Sequence, residues 1–545
     1  MTTFADELTF SRLDHAFARF LGQRCLLKGA DRERFEKLVA RLSLEQNQGH
    51  SCIQIDPQSR ELALSSGLAS TSDIAPLIVE QDRLYLHRYW DYEQRLAQKI
   101  RALLPVGHAS QSADALLDRY FPAEDDAPDW QRLAAKTAIE RALCIITGGP
   151  GTGKTTTVVK ILGLLQETAE YPLFVALAAP TGKAAMRLQE SIGKSKNALP
   201  CSDSIKQKIP DAVTTLHRLL GSKPPSPYFR HNANRPLPHD VIVIDEASMV
   251  DLALMSKLAD ALKPGARLIL LGDKDQLASV ESGAVLADLT AALPNHTVEL
   301  KKAHRFDIGI KNFADAVNRQ QADEAWNTLQ SGHSAIAVLD REPIDYIAER
   351  RHAYLDLIDD RAEIETIFAA FNRFQVLCAN REGPNSVADI NQRVERQLAA
   401  TNRISPTGTW YEGRPVMIMQ NDAALQLYNG DIGISLRDPE QNGKLMAFFQ
   451  RPDGSLKKFL PARLPHCQTV FAMTIHKSQG SEFEDILIAL PDRHNPVLTK
   501  ELLYTAITRA KKTVTVLANR DVFNETLKHR IERFSGLPQK LNDAE

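Results

Sequence analysis

The sequence predicts an α/β protein built from several domains. Apolar, β-prone runs repeatedly end in a polar or glycine-rich turn that opens into a helix-forming segment, the order expected for parallel strands connected by helices. Such runs occupy residues 143–147, 174–179 and 241–244, and a second series starts at 374–379 and resumes at 470–474. Their uninterrupted apolar character indicates strands that are covered on both faces of a sheet. The 545 residues can hold three or four domains of about 100–200 residues each.

Short strands between the two α/β series predict a small inserted domain. Residues 413–418, 429–433 and 445–449 combine β-prone side chains with turn signals. We therefore expect an inserted small β-barrel at about residues 405–465.

The amino-terminal part of the chain shows helical periodicity but no recognisable chemistry. Phe10, Leu13, Phe17 and Phe20 recur at helical spacing, so amphipathic helices with a core of their own are expected. The expected division is an α-rich N-terminal domain at 1–127, a first α/β domain at 128–335, and a second α/β domain at 336–545 that contains the insertion.

Composition and charge place the chain among ordinary globular proteins. Hydrophobic residues make up 43% and charged residues 25% of the sequence. No apolar run reaches the length of a membrane span, and the first residues lack the features of a signal peptide, so a cytoplasmic protein is expected. The six cysteines form no C-x-x-C pair, which argues against zinc ligation and a disulfide framework. With a formal net charge of −2, any affinity for nucleic acid must come from a local basic groove.

The strongest functional signal is the segment GGPGTGKTT, which follows the strand at 143–147 and opens a helix. It matches G-x-x-x-x-G-K-[ST] in the strand, loop and helix context of a phosphate-binding loop. The glycines let backbone N–H groups converge on an anion, and the helix start adds the positive end of its dipole. A glycine-rich turn with an exposed lysine is the structural alternative, and the matching context argues against it. The expected nucleotide contacts in this loop are Gly148, Gly149, Pro150, Gly151, Thr152, Gly153, Lys154, Thr155 and Thr156.

Two more apolar strands end in polar residues suited to nucleotide chemistry. Asp245, after the strand at 241–244, is a candidate Mg²⁺ ligand, and Glu246 is a candidate base for an attacking water. An Asp-Glu pair after a buried strand is commonly an exposed acidic turn, but a phosphate-binding loop upstream makes that interpretation weaker. Gln276, which follows the second of these strands, could sense a γ-phosphate. Gln131, on a helix before the loop, could contact adenine through its amide, although most helical glutamines are simply solvated.

Eight ordered segments resemble the motifs of superfamily 1 helicases. They are GGPGTGKT, APTGKAA, TLHRLL, VIDEASMVD, LGDKDQLASVESG, HRF, TIHKSQGSEF and YTAITRAKK. Within that superfamily the chain resembles the RecD family, the α subunits of exodeoxyribonuclease V, and the segments WYEGRPVMI and LYNGDIGI add to the resemblance. The motor resemblance covers about Asp129 to Leu537, whereas the match before Ala127 is diffuse.

The resemblance implies two RecA-like motor domains, with ATP and Mg²⁺ bound between them, and 5′→3′ movement on single-stranded DNA. It makes Glu246 the catalytic base and Gln276 the γ-phosphate sensor. It makes Arg305 and Arg509 arginine fingers, with His304 replacing the aromatic residue that commonly precedes the first of them. The remaining ATP-site residues that it implies are Gln131 at adenine, Lys154 at the phosphates, and Thr155 and Asp245 at the metal. The implied nucleic-acid contacts are Thr181, Thr215, His217, Thr474, His476 and Glu482, the last directed at a ribose.

The resemblance also implies partners. A RecD-like chain assembles with RecB-like and RecC-like subunits at DNA ends, in double-strand break repair and recombination, and we expect the N-terminal domain to dock on the large non-catalytic subunit. No segment supplies a nuclease metal site, so the nuclease is expected in a partner. A free-standing or conjugative DNA helicase, or an RNA translocase, would carry the same motifs. A non-hydrolysing ATP-binding switch is an alternative of another class, but it would need neither a base nor arginine fingers.

Overall fold

The computed structural model describes residues 10–105, 113–122, 129–223, 225–302, 307–406, 408–422, 424–451 and 454–542. Arg305, one of the two implied arginine fingers, lies outside these ranges. No helix within them is long and apolar enough to cross a bilayer.

The N-terminal region combines helices with a small mixed sheet. Its helices are α1 (Arg12–Gly22), α2 (Gly29–Asn47), α3 (Pro57–Ser65), α4 (His87–Arg101) and α5 (Ala113–Tyr120). Its strands are β1 (Cys52–Gln54), β2 (Ala69–Ser70), β3 (Leu77–Glu80) and β4 (Arg83–Leu86), in the spatial order β1-β4-β3-β2. Phe35, Val39 and Leu42 of α2 pack with Leu77 and Leu84 of the sheet, so this region has a core of its own.

The first α/β unit is a six-stranded parallel sheet with helices on both faces, as the apolar strand runs predict. Its strands are β5 (Leu143–Thr147), β6 (Val175–Ala179), β7 (Thr214–Thr215), β8 (Val241–Ile244), β9 (Arg267–Gly272) and β10 (Thr297–Glu299), in the order β10-β5-β9-β8-β6-β7. Its helices are α6 (Trp130–Glu140), α7 (Lys154–Thr168), α8 (Gly182–Asn197), α9 (Asp203–Lys208), α10 (Leu216–Leu220), α11 (Leu252–Asp260) and α12 (Val285–Ala292). Because the strands are parallel, the polar residues that follow them meet at one edge of the sheet.

The second α/β unit begins earlier in the chain than the sequence interpretation places it. Its first elements are α13 (Ile308–Asn318), α14 (Ala322–Leu329), β11 (Ile336–Val338), α15 (Pro343–Asp359), α16 (Ile364–Arg373), β12 (Phe374–Cys378) and α17 (Val387–Ala400). Phe313 of α13 stacks on Phe523 at 6.2 Å between ring centroids, and Trp326 of α14 meets the same ring edge-on at 5.2 Å, inside the core of this unit. The expected boundary at 335/336 therefore separates these two helices from the unit on which they pack. Apolar periodicity shows that a helix is buried but not which sheet covers it.

Five antiparallel strands are inserted into this unit near the expected position. They are β13 (Pro415–Ile418), β14 (Ile432–Asp438), β15 (Lys444–Gln450), β16 (Leu456–Phe459) and β17 (Cys467–Thr469), in the order β16-β15-β14-β13-β17. Val416, Ala447 and Phe449 form a separate small core. Closure of this sheet into a barrel stays a prediction.

The chain then returns to the second parallel sheet. The elements are β18 (Ala472–Thr474), β19 (Phe483–Ala489), α18 (Lys500–Ile507), β20 (Ala510–Leu517), α19 (Arg520–Lys528) and α20 (Leu537–Asn542). The sheet has the order β11-β20-β19-β12-β18, with all pairs parallel. Short 3₁₀ turns occur at Ala247–Met249, Pro294–His296, Pro439–Gln441, Pro461–Arg463 and Ile475–Ser478.

The last helix leaves the second unit and crosses back to the other end of the chain. Leu537 and Leu541 of α20 share a core with Leu96 and Ile100 of α4, at the face of the first parallel sheet that also carries α11 and α12. The expected second domain, 336–545, therefore ends in a segment that packs on the N-terminal region and the first unit.

Candidate active site

The loop between β5 and α7 has the backbone shape of a phosphate-binding loop. Gly151 and Gly153 adopt φ angles of +77° and +85°, a left-handed conformation that glycine adopts without strain. A Cβ atom on Gly153 would lie 2.6 Å from Nε2 of Gln131, so Gln131 of α6 packs directly against the loop. The Lys154 ammonium donates to the carbonyl oxygens of the first two loop glycines at 2.6 and 3.0 Å. The loop, Lys154 and Gln131 therefore lie together.

A cavity of about 630 Å³ opens at this loop and is lined by both α/β units. Its size is typical of a small-molecule site. The first unit contributes Gln131, Pro150, Gly151, Gly153, Lys154, Thr155, Thr156, Ala184, Arg187, Leu188, Glu190, Ser191, Lys194, Asp245, Glu246, Asp273 and Gln276. The second unit contributes Glu482, Arg509 and Lys511. The structure thus brings most of the predicted nucleotide-site residues to one cavity between the two units.

The two carboxylates after β8 differ in their surroundings. Burial, together with the neighbouring Glu246 carboxylate, raises the pKa of Asp245 to about 6, while nearby Lys154 acts in the opposite direction. The Glu246 backbone N–H donates to Oδ1 of Asp245 at 2.9 Å. Glu246 itself has φ of +50°, a left-handed conformation that is uncommon for a residue with a Cβ. Such backbone strain is concentrated at functional sites.

Arg509 reaches from the second unit to Gln276 of the first. Its Nη2 donates to Oε1 of Gln276 at 2.5 Å, and its Nε donates to the carbonyl oxygen of Thr505 at 3.1 Å. The Gln276 amide nitrogen in turn donates to Oδ2 of Asp273 at 3.0 Å. Arg509 is only 2% exposed, and burial lowers its pKa. The two residues therefore form a hydrogen-bonded pair across the interface.

Thr155 and Asp245 offer oxygen atoms of the kind that Mg²⁺ prefers. Among the described residues, no cluster of three or more His, Cys, Asp or Glu side chains could hold a metal ion. A hydroxyl and one carboxylate fit a cation that keeps several waters and is shared with phosphate oxygens. The residues present therefore fit a nucleotide-bound magnesium better than an independent metal centre.

The three threonines expected on the nucleic-acid path lie in equivalent local settings. Thr181, Thr215 and Thr474 each follow or end a parallel strand, and each side chain caps the turn or helix that comes next. Their hydroxyl oxygens accept from backbone N–H groups at 3.2, 3.3 and 3.3 Å. Because a hydroxyl has a hydrogen as well as lone pairs, each could still donate to a phosphate.

The two histidines of the expected path differ in exposure. His217 is exposed on α10, with its ring 5.7 Å from that of Phe229. His476 is less accessible, and burial, with Arg381 nearby, lowers its pKa. Its imidazole is therefore neutral at physiological pH and can donate one hydrogen bond.

A loop of the inserted domain spans this path between the two units. The Tyr428 hydroxyl accepts from Arg218 of α10, and Asn429 accepts from the Lys477 ammonium at 2.6 Å. A Cβ on Gly182 would lie 3.8 Å from the Tyr428 ring. In the sequence, LYNGDIGI is identified as a strand with a turn and as part of the family resemblance, with no contact to the two α/β units expected. These contacts were not predicted, because the residues involved are far apart in the chain.

Comparison with known proteins follows the same division of the chain. A family profile described as an AAA domain matches residues 131–282, and one described as a UvrD-like helicase C-terminal domain matches residues 469–517. The chain is 40% identical to the RecBCD enzyme subunit RecD of Mycolicibacterium smegmatis, over 85% of this chain and 83% of that protein. It is 36% identical to the subunit of the same name from Haemophilus influenzae, over 88% and 84% of the two chains. The chain belongs to the RecD family.

More distant similarities extend beyond these RecD subunits. The ATP-dependent RecD2 DNA helicase of Deinococcus radiodurans is 32% identical, over 83% of this RecD-family chain and 58% of that protein. Among solved structures, a Pif1 helicase from Bacteroides in complex with ADP-AlF3 and ssDNA is 19% identical, with a TM-score of 0.40 over 73% of this chain and 93% of that one.

The cavity of this RecD-family chain also holds charged residues that sequence reasoning missed. Glu482, assigned to the nucleic-acid contacts, lines the nucleotide cavity and forms ion pairs with Arg187 of α8 and, at 3.3 Å, with Lys511. Arg187 lies just after the APTGKAA segment, and Lys511 lies inside YTAITRAKK, two residues after Arg509. Their proximity to those motifs was the available signal.

Proposed function

We propose that this chain is an ATP-dependent 5′→3′ single-stranded DNA translocase and helicase, and a subunit of a RecBCD-type exodeoxyribonuclease V complex that acts in double-strand break repair and recombination. The observation that carries the proposal is Arg509 of the second unit, which lines the same cavity as Lys154 and Glu246 of the first unit. Relatives named RecBCD enzyme subunit RecD, and one named ATP-dependent RecD2 DNA helicase, support it.

Six of the residues that line the cavity have a role in phosphoryl transfer to water. Lys154 neutralises charge on the β- and γ-phosphates, and Glu246 orients and deprotonates the attacking water. Thr155 and Asp245 would hold Mg²⁺, which supplies charge neutralisation between the phosphates when it is bound. Gln276 contacts the γ-phosphate, and Arg509 stabilises charge on the transferring group. A switch that only binds ATP would need no Arg509 delivered from a second domain.

Hydrolysis performs work when the two units move relative to each other along a strand. Thr181, Thr215 and His217 belong to the first unit, whereas Thr474 and His476 belong to the second. Hydroxyl and imidazole groups of this kind bind phosphates and sugars. Such contacts do not distinguish one base from another. A motor that holds the strand from two units can therefore advance without sequence preference.

ATPase and unwinding assays test this proposal. We expect single-stranded DNA to stimulate ATP hydrolysis more than RNA of the same length, and a duplex with a 5′ tail to be unwound in preference to one with a 3′ tail. The matched control is Glu246→Gln, which should bind ATP and DNA but not unwind. Equal stimulation by RNA, or unwinding only from a 3′ tail, would contradict the proposed substrate or polarity.

The N-terminal region is proposed to dock on the RecC-like subunit. Leu13, Phe20 and Leu26, on and just after α1, are 67%, 51% and 75% exposed, a group of large apolar side chains that a partner could cover. Deletion of the whole region is a poor test, because α4 packs on α11 and α20 and its loss would open the first unit. We expect Leu13→Glu/Phe20→Glu/Leu26→Glu to keep DNA-stimulated ATPase but to lose co-purification with RecB-like and RecC-like subunits. Tyr228→Glu, at a side chain 76% exposed in the first unit, is the control, and normal assembly of the triple variant would refute this docking face.

A further inference from the structure

Tyr504 lies at the junction of the two α/β units, beside the nucleotide cavity. It belongs to α18 of the second unit, shortly before Arg509, and is 7% exposed. Its hydroxyl donates to Oδ2 of Asp273, in the first unit, at 3.1 Å. A Cβ on Gly149 would lie 3.1 Å from the same hydroxyl, so the ring also abuts the phosphate-binding loop. Tyr504 lines a neighbouring cavity of about 500 Å³ and is not among the residues that line the nucleotide cavity.

Four side chains form a circuit of hydrogen bonds across this junction. The chain segment that carries both Tyr504 and Arg509 joins the two ends of the circuit. Tyr504 donates to Asp273, Gln276 donates to the same carboxylate oxygen, and Arg509 donates to Gln276. Tyr504 and Arg509 sit on one segment of the second unit, and the other two sit on one loop of the first. The circuit can therefore close only when the two units are as near as they are in this structure.

The Asp273 carboxylate decides which end of the Gln276 amide faces Arg509. A carboxylate accepts hydrogen bonds and does not donate, so it holds the amide nitrogen of Gln276 and leaves the amide oxygen for Arg509. Rotation of the amide by half a turn would place an N–H donor against the guanidinium. The orientation of Gln276 thus depends on how firmly Asp273 is held.

The protonation states suit this arrangement. Burial, with Asp273 and Asp275 nearby, raises the pKa of Tyr504, so the phenol keeps its proton and acts as a donor. Burial raises the pKa of Asp273 to about 6, which leaves this carboxylate ionised at neutral pH. A phenol that does not ionise cannot serve as the base for water, so its part is to hold another group.

We propose that Tyr504 is a positioning residue that ties closure of the two units to the alignment of Gln276 and Arg509. The inference rests on the proposed ATP hydrolysis and adds a residue to it. Without the hydroxyl, the hydrogen bonds that Asp273 accepts from the described residues come from its own loop, at Asp275 and Gln276, and the second unit no longer fixes the Asp273 carboxylate that orients the Gln276 amide. Nucleotide binding, which depends on the phosphate-binding loop, does not require the circuit.

Tyr504→Phe in the full-length chain tests the inference, with Tyr411→Phe as the matched control. Tyr411 is also buried in the second unit and donates to a carboxylate, that of Glu395, away from the cavity. A hydrogen bond to a charged group contributes enough for its loss to slow turnover about 10- to 100-fold. We expect kcat of the DNA-stimulated ATPase to fall by that factor in Tyr504→Phe while KM for ATP changes less than about 2-fold, and we expect no such fall in Tyr411→Phe. Equal kcat in the two variants, or a change confined to KM, would overturn the inference.

A double-mutant cycle separates positioning from a general loss of stability. If Tyr504 acts through Gln276, Tyr504→Phe should change kcat less than about 2-fold in a Gln276→Ala background, because coupled residues do not add. A full, multiplicative effect in that background would overturn the route through Gln276. Absence of DNA-stimulated ATPase in the wild-type protein would instead refute the proposed function, which keeps the two failures distinguishable.

Discussion

The ammonium of Lys540, near the carboxyl end of the chain, lies 3.2 Å from the carboxylate of Glu93 in α4 of the N-terminal region. Both side chains are almost fully buried, at 5% and 0% exposure. Glu93 also accepts from the Ser51 and Ser535 hydroxyls and from the backbone N–H of Gly536. The last segment of the chain is thus fixed to the N-terminal region by a hydrogen-bonded ion pair as well as by the packing of α20.

Lys540→Ala should destabilise the region around α4 by about 3–5 kcal/mol, because it leaves a buried carboxylate without its counter-ion. Urea unfolding of the full-length chain, followed by hydrogen exchange in α4 and α20, measures the change. Lys528→Ala is the control, since its side chain is 68% exposed and its pair with Glu525 should contribute only about 0–1 kcal/mol. Because Lys540 also pairs with the Glu80 carboxylate and Glu93 accepts three other hydrogen bonds, Glu93→Leu/Lys540→Met should recover only part of the loss, and a double variant as unstable as the single one would contradict this account.

Arg509→Ala should lower kcat by about 10³–10⁵, the range for arginine fingers, because the transferring phosphoryl group would lose its cationic partner. Nucleotide affinity should change far less, since Lys154 and the loop backbone remain. Rapid-quench measurement of a single turnover tests the chemical step directly. Lys512→Ala is the control on the same segment, because its side chain is 65% exposed and pairs with Glu484. Loss of nucleotide affinity with kcat unchanged would contradict the assigned role.

Local patterns explain why this much of the site could be predicted. The phosphate-binding loop, Asp245, Glu246 and Gln276 are each identified by residues beside them, and each follows a buried strand of one parallel sheet. The meeting of those strand ends at one edge is a property of parallel sheets, so the cavity follows from the strands. Arg509 could be assigned only through the resemblance to the family.

Contacts between distant segments could not be predicted. Tyr504 and Asp273 are 231 residues apart, and Lys540 and Glu93 are 447 apart, with no periodic pattern to relate them. The boundary between the α/β units was misplaced for a similar reason. Helix α13 has an apolar face, but its sequence does not show that the face packs on Phe523 rather than on the preceding sheet.

Acidic pH should lower kcat/KM for ATP, with a midpoint near pH 6. The pKa of Asp245 is raised to about 6, and protonation removes the charge that a bound cation requires. Because this pKa is higher in the folded than in the unfolded chain, protonation of Asp245 favours the fold, so the loss of activity through this group is not acid unfolding. Circular dichroism at pH 5.5 checks that the fold persists. A rate that is flat down to pH 5 would show that Asp245 does not control binding of the metal nucleotide.

Lys154→Gln should remove ATP turnover and leave the fold intact. Among the described residues, the ammonium of Lys154 donates its hydrogen bonds to two carbonyl oxygens of the loop, so the core does not depend on its charge. Binding of the β- and γ-phosphates does depend on the charge of Lys154, because the amide of glutamine cannot neutralise the phosphates. The ATPase rate and the thermal melting temperature are measured on the same preparation. The ATPase rate should be lost while the melting temperature stays that of the wild type. Turnover at the wild-type rate would remove the assigned role of this loop.

ATP and single-stranded DNA should each strengthen binding of the other, and Gln479 should carry part of that coupling. Gln479 follows Thr474 and His476 on the expected DNA path, and its side-chain amide donates to the carbonyl oxygen of Leu277 at 3.2 Å, one residue after Gln276. The backbone N–H of Leu277 also donates to the Thr505 hydroxyl at 2.9 Å. The loop that holds Gln276 and Leu277 therefore contacts both the segment of Thr474 and the segment of Arg509. Equilibrium titrations of DNA with and without a non-hydrolysable ATP analogue should give a tightening of about 5- to 150-fold in the wild type, and the reverse titration should give the same factor.

The variant Gln479→Ala should keep both individual affinities within about 2-fold while the coupling factor falls several-fold, because only the contact between the sites is removed. Gln397→Ala is the control, since that amide of α17 donates to Asp345 of α15 and neither residue lines the nucleotide cavity. Equal coupling in the two variants would show that the signal between the sites does not pass through Leu277. Independent affinities in the wild-type protein would be more serious, because a motor that closes on ATP and grips DNA with the same two units cannot bind them independently.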